Sequence, residues 1–232
     1  MNKEVLIVAG LASKGSNLAP LKMLGELLSD SSQAYYIDGA EYVNGQLETS
    51  TPSMQLEKIT NKIRSNPNNE YLIITQSLGA IAAVNALDSE YNIKARVLSI
   101  SPPLPMPNKV LGHQRIKDIM SHNANRVTIP SYSFALANNG PSDIPPKPVD
   151  VIITKAYFDE IDQASNNFLE KMESAIQSGA LQIVSPINDW NKEGISVAKK
   201  FNNTIYVDAT HSLQTDQKSL KKICEYISKN MN

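Results

Sequence analysis

Tyr71-Leu72-Ile73-Ile74-Thr75-Gln76-Ser77-Leu78-Gly79 is the stretch on which the reading of this 232-residue chain turns. Residues 72–75 suit a buried strand. Gln76-Ser77-Leu78-Gly79 breaks it, and a helix-forming run, Ala80-Ile81-Ala82-Ala83-Val84-Asn85-Ala86-Leu87, follows at once. Strand, abrupt turn and helix put one serine at the tip of a strained bend. Such a bend lifts a hydroxyl clear of the sheet, where a base can deprotonate it and a carbonyl carbon can meet it.

Outward from that stretch the same alternation repeats. Residues 5–9, 34–37, 95–100, 181–186 and 204–207 read as short apolar strands. Between them, residues 17–28 carry Leu18, Leu21, Leu24, Leu27 and Leu28 at helical spacing, and residues 52–63 form a helix opened by Pro52. Further helices are expected from Leu78, over 157–176, near Trp190 and over 216–228. Valine-, isoleucine- and leucine-rich strands alternating with helices predict an α/β fold, a doubly wound, mostly parallel sheet of about six strands covered on both faces. One domain spans 1–232, a length that can bury a core without disulfides or metals.

Residues 101–150 break the rhythm. Pro102, Pro103, Pro105 and Pro107 are followed by Asn138-Asn139-Gly140-Pro141 and Pro145-Pro146-Lys147-Pro148. Prolines at this density exclude a long helix or a central strand, though a helix fits over 110–120. Fifty residues are too many for a plain connection, so 101–150 is read as a small cap over the carboxyl edge of the sheet. Leu104, Met106, Val110, Ile119, Phe134 and Leu136 would give it an apolar lining.

Bulk properties narrow the function. Lys+Arg number 22 and Asp+Glu 23, so a net charge of -1 gives no electrostatic case for nucleic acid or an anionic membrane as partner. The one cysteine, Cys224, excludes an internal disulfide and favours a reducing, cytoplasmic setting. The N-terminal apolar run is too short and too close to Glu4 for a signal peptide, and no run approaches a membrane span. Three scattered histidines offer no metal-ligand spacing, and residues 10–15 lack the glycine pattern of a nucleotide loop, so no metal or cofactor is expected.

A serine needs a base, and the base needs a partner that fixes its tautomer. His113 and His122 lie in the proline-rich region. His211 lies just past the last expected strand, and Asp189 just past the strand before it. In a parallel sheet both fall on the same carboxyl edge as Ser77. Asp208 is a competing acid, and Asp189 could instead cap the helix near Trp190.

The order Ser77, Asp189, His211 and the segment Thr75-Gln76-Ser77-Leu78-Gly79 resemble the α/β-hydrolase family over nearly the whole chain. The resemblance implies that Ser77 attacks an acyl carbonyl, His211 shuttles the proton and Asp189 orients His211. It implies an oxyanion hole from the backbone N–H groups of Leu78 and Leu11. Thr75 stands where the family usually has glycine. The family's two early antiparallel strands are absent from the opening of the chain. The implied function is serine hydrolysis of a small-molecule carboxylic ester or thioester through an acyl-enzyme. Two alternatives stand beside it: acyl transfer by the same triad, and a non-catalytic small-molecule or partner-binding module.

Overall fold

A computed structural model describes residues 3–29, 34–88, 94–109, 125–135, 147–213 and 215–230. The helix expected over 110–120 lies outside the described residues, as do Val110, His113, Ile119, His122 and Leu136. In chain order the described strands are β1 (Lys3–Val8), β2 (Tyr35–Ile37), β3 (Ala40–Val43), β4 (Gln46–Thr49), β5 (Glu70–Gln76), β6 (Ala95–Ile100), β7 (Arg126–Ser131), β8 (Val149–Thr154), β9 (Leu181–Pro186) and β10 (Ile205–Val207). The described helices are α1 (Ala19–Leu28), α2 (Pro52–Ser65), α3 (Ala80–Leu87), α4 (Tyr132–Ala135), α5 (Lys155–Ser165), α6 (Phe168–Gln177), α7 (Lys192–Ala198) and α8 (Gln217–Asn230).

Six strands form the main sheet in the order β10-β9-β6-β5-β1-β2, and every neighbouring pair is parallel. Its strands are continuous apolar runs because successive side chains face opposite layers, and both layers are covered. Val5, Ile7, Leu72, Ile74 and Leu98 enter a core with α1 and α8. Leu6, Val8, Ile73 and Val97 enter another with α2, α3, α5 and α6. Parallel strands all present their carboxyl ends on one edge, and that edge collects Ser77, Asp189 and His211.

Cys224 sits in α8 between Leu220 and Ile227, fully buried against α1. Burial, assisted by Glu225, pushes its thiol up to about 12. A thiolate is therefore scarce at neutral pH. A disulfide-exchange thiol reagent should leave the native protein unlabelled and modify one thiol per chain only in denaturant. Fast labelling of the native protein would contradict this packing.

Two features depart from the sequence reading. The helix expected over 157–176 is two helices, α5 and α6. Ser165, Asn166 and Asn167 are weak helix formers. Ser165 Oγ donates back to the Ile161 carbonyl at 2.8 Å and accepts the Asn108 N–H at 2.9 Å, and the chain leaves helical geometry at Asn167.

The second departure is a small second sheet, order β3-β4-β8-β7. Residues 101–150 supply β7 and the start of β8. Their partner is a hairpin, β3–β4, in a region to which no element is assigned from sequence. Its turn is Asn44-Gly45, with φ of 50° and 80°, the left-handed pair that a tight hairpin requires. Pro130 lies in β7 at the sheet's edge, where a missing N–H breaks no ladder.

Candidate active site

The bend after β5 is a single 3-10 turn, Ser77–Gly79, leading directly into α3. Ser77 has φ of 51°, left-handed backbone in a non-glycine residue. Such a conformation costs about 1–3 kcal/mol and persists only where surrounding structure imposes it. Gly79 shows what imposes it: a Cβ there would lie 2.6 Å from the Val8 carbonyl oxygen and 2.8 Å from that of Ala9. The turn is thus pressed against the end of β1.

Thr75, the departure from the family pattern, is wholly buried. Its Oγ1 donates to Ser99 Oγ at 3.1 Å. In register, Thr75 faces Ser99 of β6. A small, polar neighbour gives the β-branched side chain both room and a hydrogen bond.

Asp189 follows β9 and is 4% exposed. Its Oδ2 lies 2.8 Å from His211 Nδ1, and Oδ1 accepts the Asn191 N–H at 2.8 Å. Burial raises the Asp189 carboxyl. The hydrogen bonds from His211 and the Asn191 N–H, the charge of His211 and the Ser101 hydroxyl outweigh it and hold the group below its ordinary value. An ionised carboxylate only accepts, so His211 Nδ1 is the donor of this bond, and in the neutral ring Nε2 is then the nitrogen that carries the lone pair. The Trp190 ring lies 4.9 Å from the His211 ring, tilted by 37°. Asp208 binds Asn188 Nδ2 at 2.6 Å on the surface, and the cap of α7 is Asn191, not Asp189.

Two further side chains hold the histidine loop. Ser101, at the end of β6 with φ of 47°, donates from Oγ to the His211 carbonyl at 2.7 Å. Gln76, next to Ser77, donates from Nε2 to Oγ of Ser212, next to His211, at 2.9 Å. The serine turn and the histidine loop are therefore tied by their flanking residues. Neither tie is visible in sequence, because each spans more than a hundred residues and uses an ordinary polar side chain.

Leu78 is the second residue of its turn, so helix geometry leaves its N–H without an intrahelical acceptor. Leu11 lies in a tight loop in which the Ser13 N–H reaches the Gly10 carbonyl at 3.2 Å and Ala12 has φ of 50°. The second sheet fastens this loop. Ser131 Oγ donates to the Ala12 carbonyl at 2.6 Å, and Ser133 Oγ accepts the Lys14 N–H at 3.0 Å. Leu11 also packs against the second sheet's core of Ala40, Leu47, Phe134 and Val151. Leu104 is buried too, its carbonyl bound by Asn191 Nδ2 at 2.9 Å. Among the described residues no cluster of three metal-ligating side chains occurs, and no helix is long and apolar enough to cross a membrane.

This sheet, with its serine turn after β5 and its acid and histidine after β9 and β10, defines the α/β-hydrolase fold, and the chain has that fold. No protein-family model matches the chain, and no curated protein matches its sequence. Solved structures do match. The chain is similar to a monoacylglycerol lipase of Paleococcus ferrophilus at 12% identity and a TM-score of 0.63, with 98% of this chain and 93% of that chain covered. It is similar to a soluble variant of the monoglyceride lipase of Saccharomyces cerevisiae at 14% identity and a TM-score of 0.62, covering 100% and 86%. A third likeness is to Est1E from Butyrivibrio proteoclasticus, at 14% identity and a TM-score of 0.57, covering 99% and 88%.

Proposed function

We propose that the protein is a serine hydrolase of small carboxylic esters, with Ser77 as nucleophile, His211 as general base and acid, and Asp189 as the group that orients His211. The observation that carries this reading is the 2.8 Å contact between buried Asp189 and His211, on the sheet edge where Ser77 holds a left-handed bend. The similar structures include lipases, which fits an ester substrate.

In the first half-reaction Ser77 Oγ adds to the acyl carbon as its proton passes to His211 Nε2. The carbonyl π pair moves to oxygen, and the N–H groups of Leu78 and Leu11 receive that charge. When the intermediate collapses, the C–O bond to the leaving alcohol breaks and His211 returns the proton to it. Acyl-Ser77 remains. Water then adds with its proton taken by His211, and the acid leaves as Ser77 regains its hydrogen. A thioester runs through the same steps with a thiol as leaving group. In this reading the described parts of the proline-rich region, residues 101–109 and 125–135, serve with the β3–β4 hairpin as the cap on the acyl side of the site. The lone buried cysteine suits a reducing compartment.

The test is turnover of short p-nitrophenyl esters together with labelling by an organophosphonate. Labelling of Ser77 at one per chain is the expected result; an unreactive protein with no ester turnover overturns the reading. Ser101→Ala probes the support of His211. Loss of a hydrogen bond of about 1 kcal/mol should lower kcat by about 5- to 10-fold, with KM little changed. The acid limb of the kcat/KM pH profile should also move. An unmoved profile with unchanged kcat would show that the Ser101 tie is idle.

A further inference from the structure

A cavity opens beside Lys14, at the end of the loop that carries Leu11. It has a volume of about 350 Å³ and lies where β2 meets the β3–β4 hairpin. Gly39 locks it to the active-site loop, since a Cβ on Gly39 would sit 1.7 Å from the Gly10 carbonyl oxygen. From β2 across β1 to β5 is two strand spacings, so the cavity lies about 10 Å from the serine turn.

Its lining is mixed in a particular way. Leu47 and Phe134 contribute buried apolar surface. Tyr35 and Tyr42 border it as rings that are 44% and 69% exposed. Lys62 lies 5.7 Å from the centre of the Tyr35 ring, which leaves Tyr42 as the more open platform. The charged groups cancel: Lys58 pairs with Glu41, and Lys14 acts on Asp38. Asp38 Oδ1 accepts the Gly15 N–H at 2.8 Å, while Oδ2 has no hydrogen-bond partner among the described residues. Asp38 is half-buried, and that burial raises its carboxyl despite those cations.

These properties select a ligand class. A phosphate or other anion would meet Asp38 and Glu41. A cation gains no net field from a balanced set. A hydrocarbon chain would strand the free carboxylate oxygen and the lysines against apolar surface, at the usual penalty for burying polar groups unpaired. A neutral ring with one apolar face and a hydroxyl edge satisfies all parts at once: C–H groups on a tyrosine face, hydroxyls on Asp38 and the Lys14 ammonium. We infer that this cavity binds a sugar ring, with Tyr42 as stacking platform and Asp38 Oδ2 as hydroxyl acceptor.

The test measures binding alone, so it stands apart from esterase activity. Saturation-transfer NMR is run on the full chain with the methyl glycosides of glucose, galactose and xylose. The expected result is transfer to ring protons of at least one glycoside, with Kd on the order of 1 mM, a weak single-ring affinity. Ser77→Ala should bind as wild type does. Tyr42→Ala, at an exposed position that leaves the core intact, should weaken binding about 5- to 10-fold. Asp38→Asn should weaken it as well. Weakening in either variant supports the assignment. Absence of transfer from all three glycosides, or binding unchanged in both variants, overturns it.

Discussion

Ser77→Gly is expected to abolish ester turnover and at the same time to make the protein more stable. The hydroxyl is the only group at the bend that can form the acyl-enzyme, so kcat should fall by at least about 10³-fold. Stability should move the other way. At φ of 51° a residue with a Cβ is strained, and glycine is not. Relief of about 1 kcal/mol raises Tm by about 2–4 °C in a chain of this size. Ser77→Ala separates the two effects, since it removes the hydroxyl and keeps the strain: turnover is lost and Tm stays near wild type. The pair is read by p-nitrophenyl ester kinetics and thermal unfolding. Residual turnover above a tenth of wild type in both variants would remove Ser77 from the mechanism.

Asp189→Asn is expected to lower kcat by about 10³- to 10⁴-fold while leaving the fold in place. The amide keeps an oxygen to accept the Asn191 N–H, so the turn before α7 survives. Its NH₂ group, however, would donate to His211 Nδ1. That places the ring hydrogen on Nε2, the atom that must accept the Ser77 proton. The ring stays in position in the wrong tautomer. Stability should carry a matching pH signature. The folded carboxyl lies below its ordinary value of 3.8, so its contribution is complete above about pH 4 and is lost as pH falls through the folded value. Wild type should exceed Asp189→Asn in stability at neutral pH, and the two should converge in acid. Denaturant titrations at several pH values measure this; a gap that widens in acid would contradict the assigned direction.

What could be read before any coordinates divides along physical lines. The main sheet announces itself because buried parallel strands are continuous apolar runs, as in Val5-Leu6-Ile7-Val8 and Leu72-Ile73-Ile74. The second sheet does not. Its strands β3 and β4 are four residues each, with burial alternating irregularly, and they look like polar loop. The one signal present was Asn44-Gly45, the pair that closes a tight hairpin. The break between α5 and α6 was written in Ser165-Asn166-Asn167, but helical periodicity on both sides masks it. For the site, chain order and sheet direction bring Ser77, Asp189 and His211 to one edge, and the structure puts Asp189 and His211 in contact. Ser101 and Gln76 were beyond sequence reasoning, because nothing local marks a hydroxyl or an amide as the fastener of a loop so distant in sequence. Thr75 was legible only as an anomaly. Its explanation lies across the sheet in Ser99.

The pairing of β4 with β8 has a consequence for how the chain comes into being. Glu48 meets Ile152, about a hundred residues later. On the ribosome, at about 5–20 residues per second, the hairpin emerges roughly 5–20 s before the strand that will cover its open edge. During that interval β4 offers unpaired N–H and C=O groups to any passing strand. Glu48, the β4 residue that will meet β8, gives that waiting edge a charged side chain, which discourages a foreign partner until the native one is made.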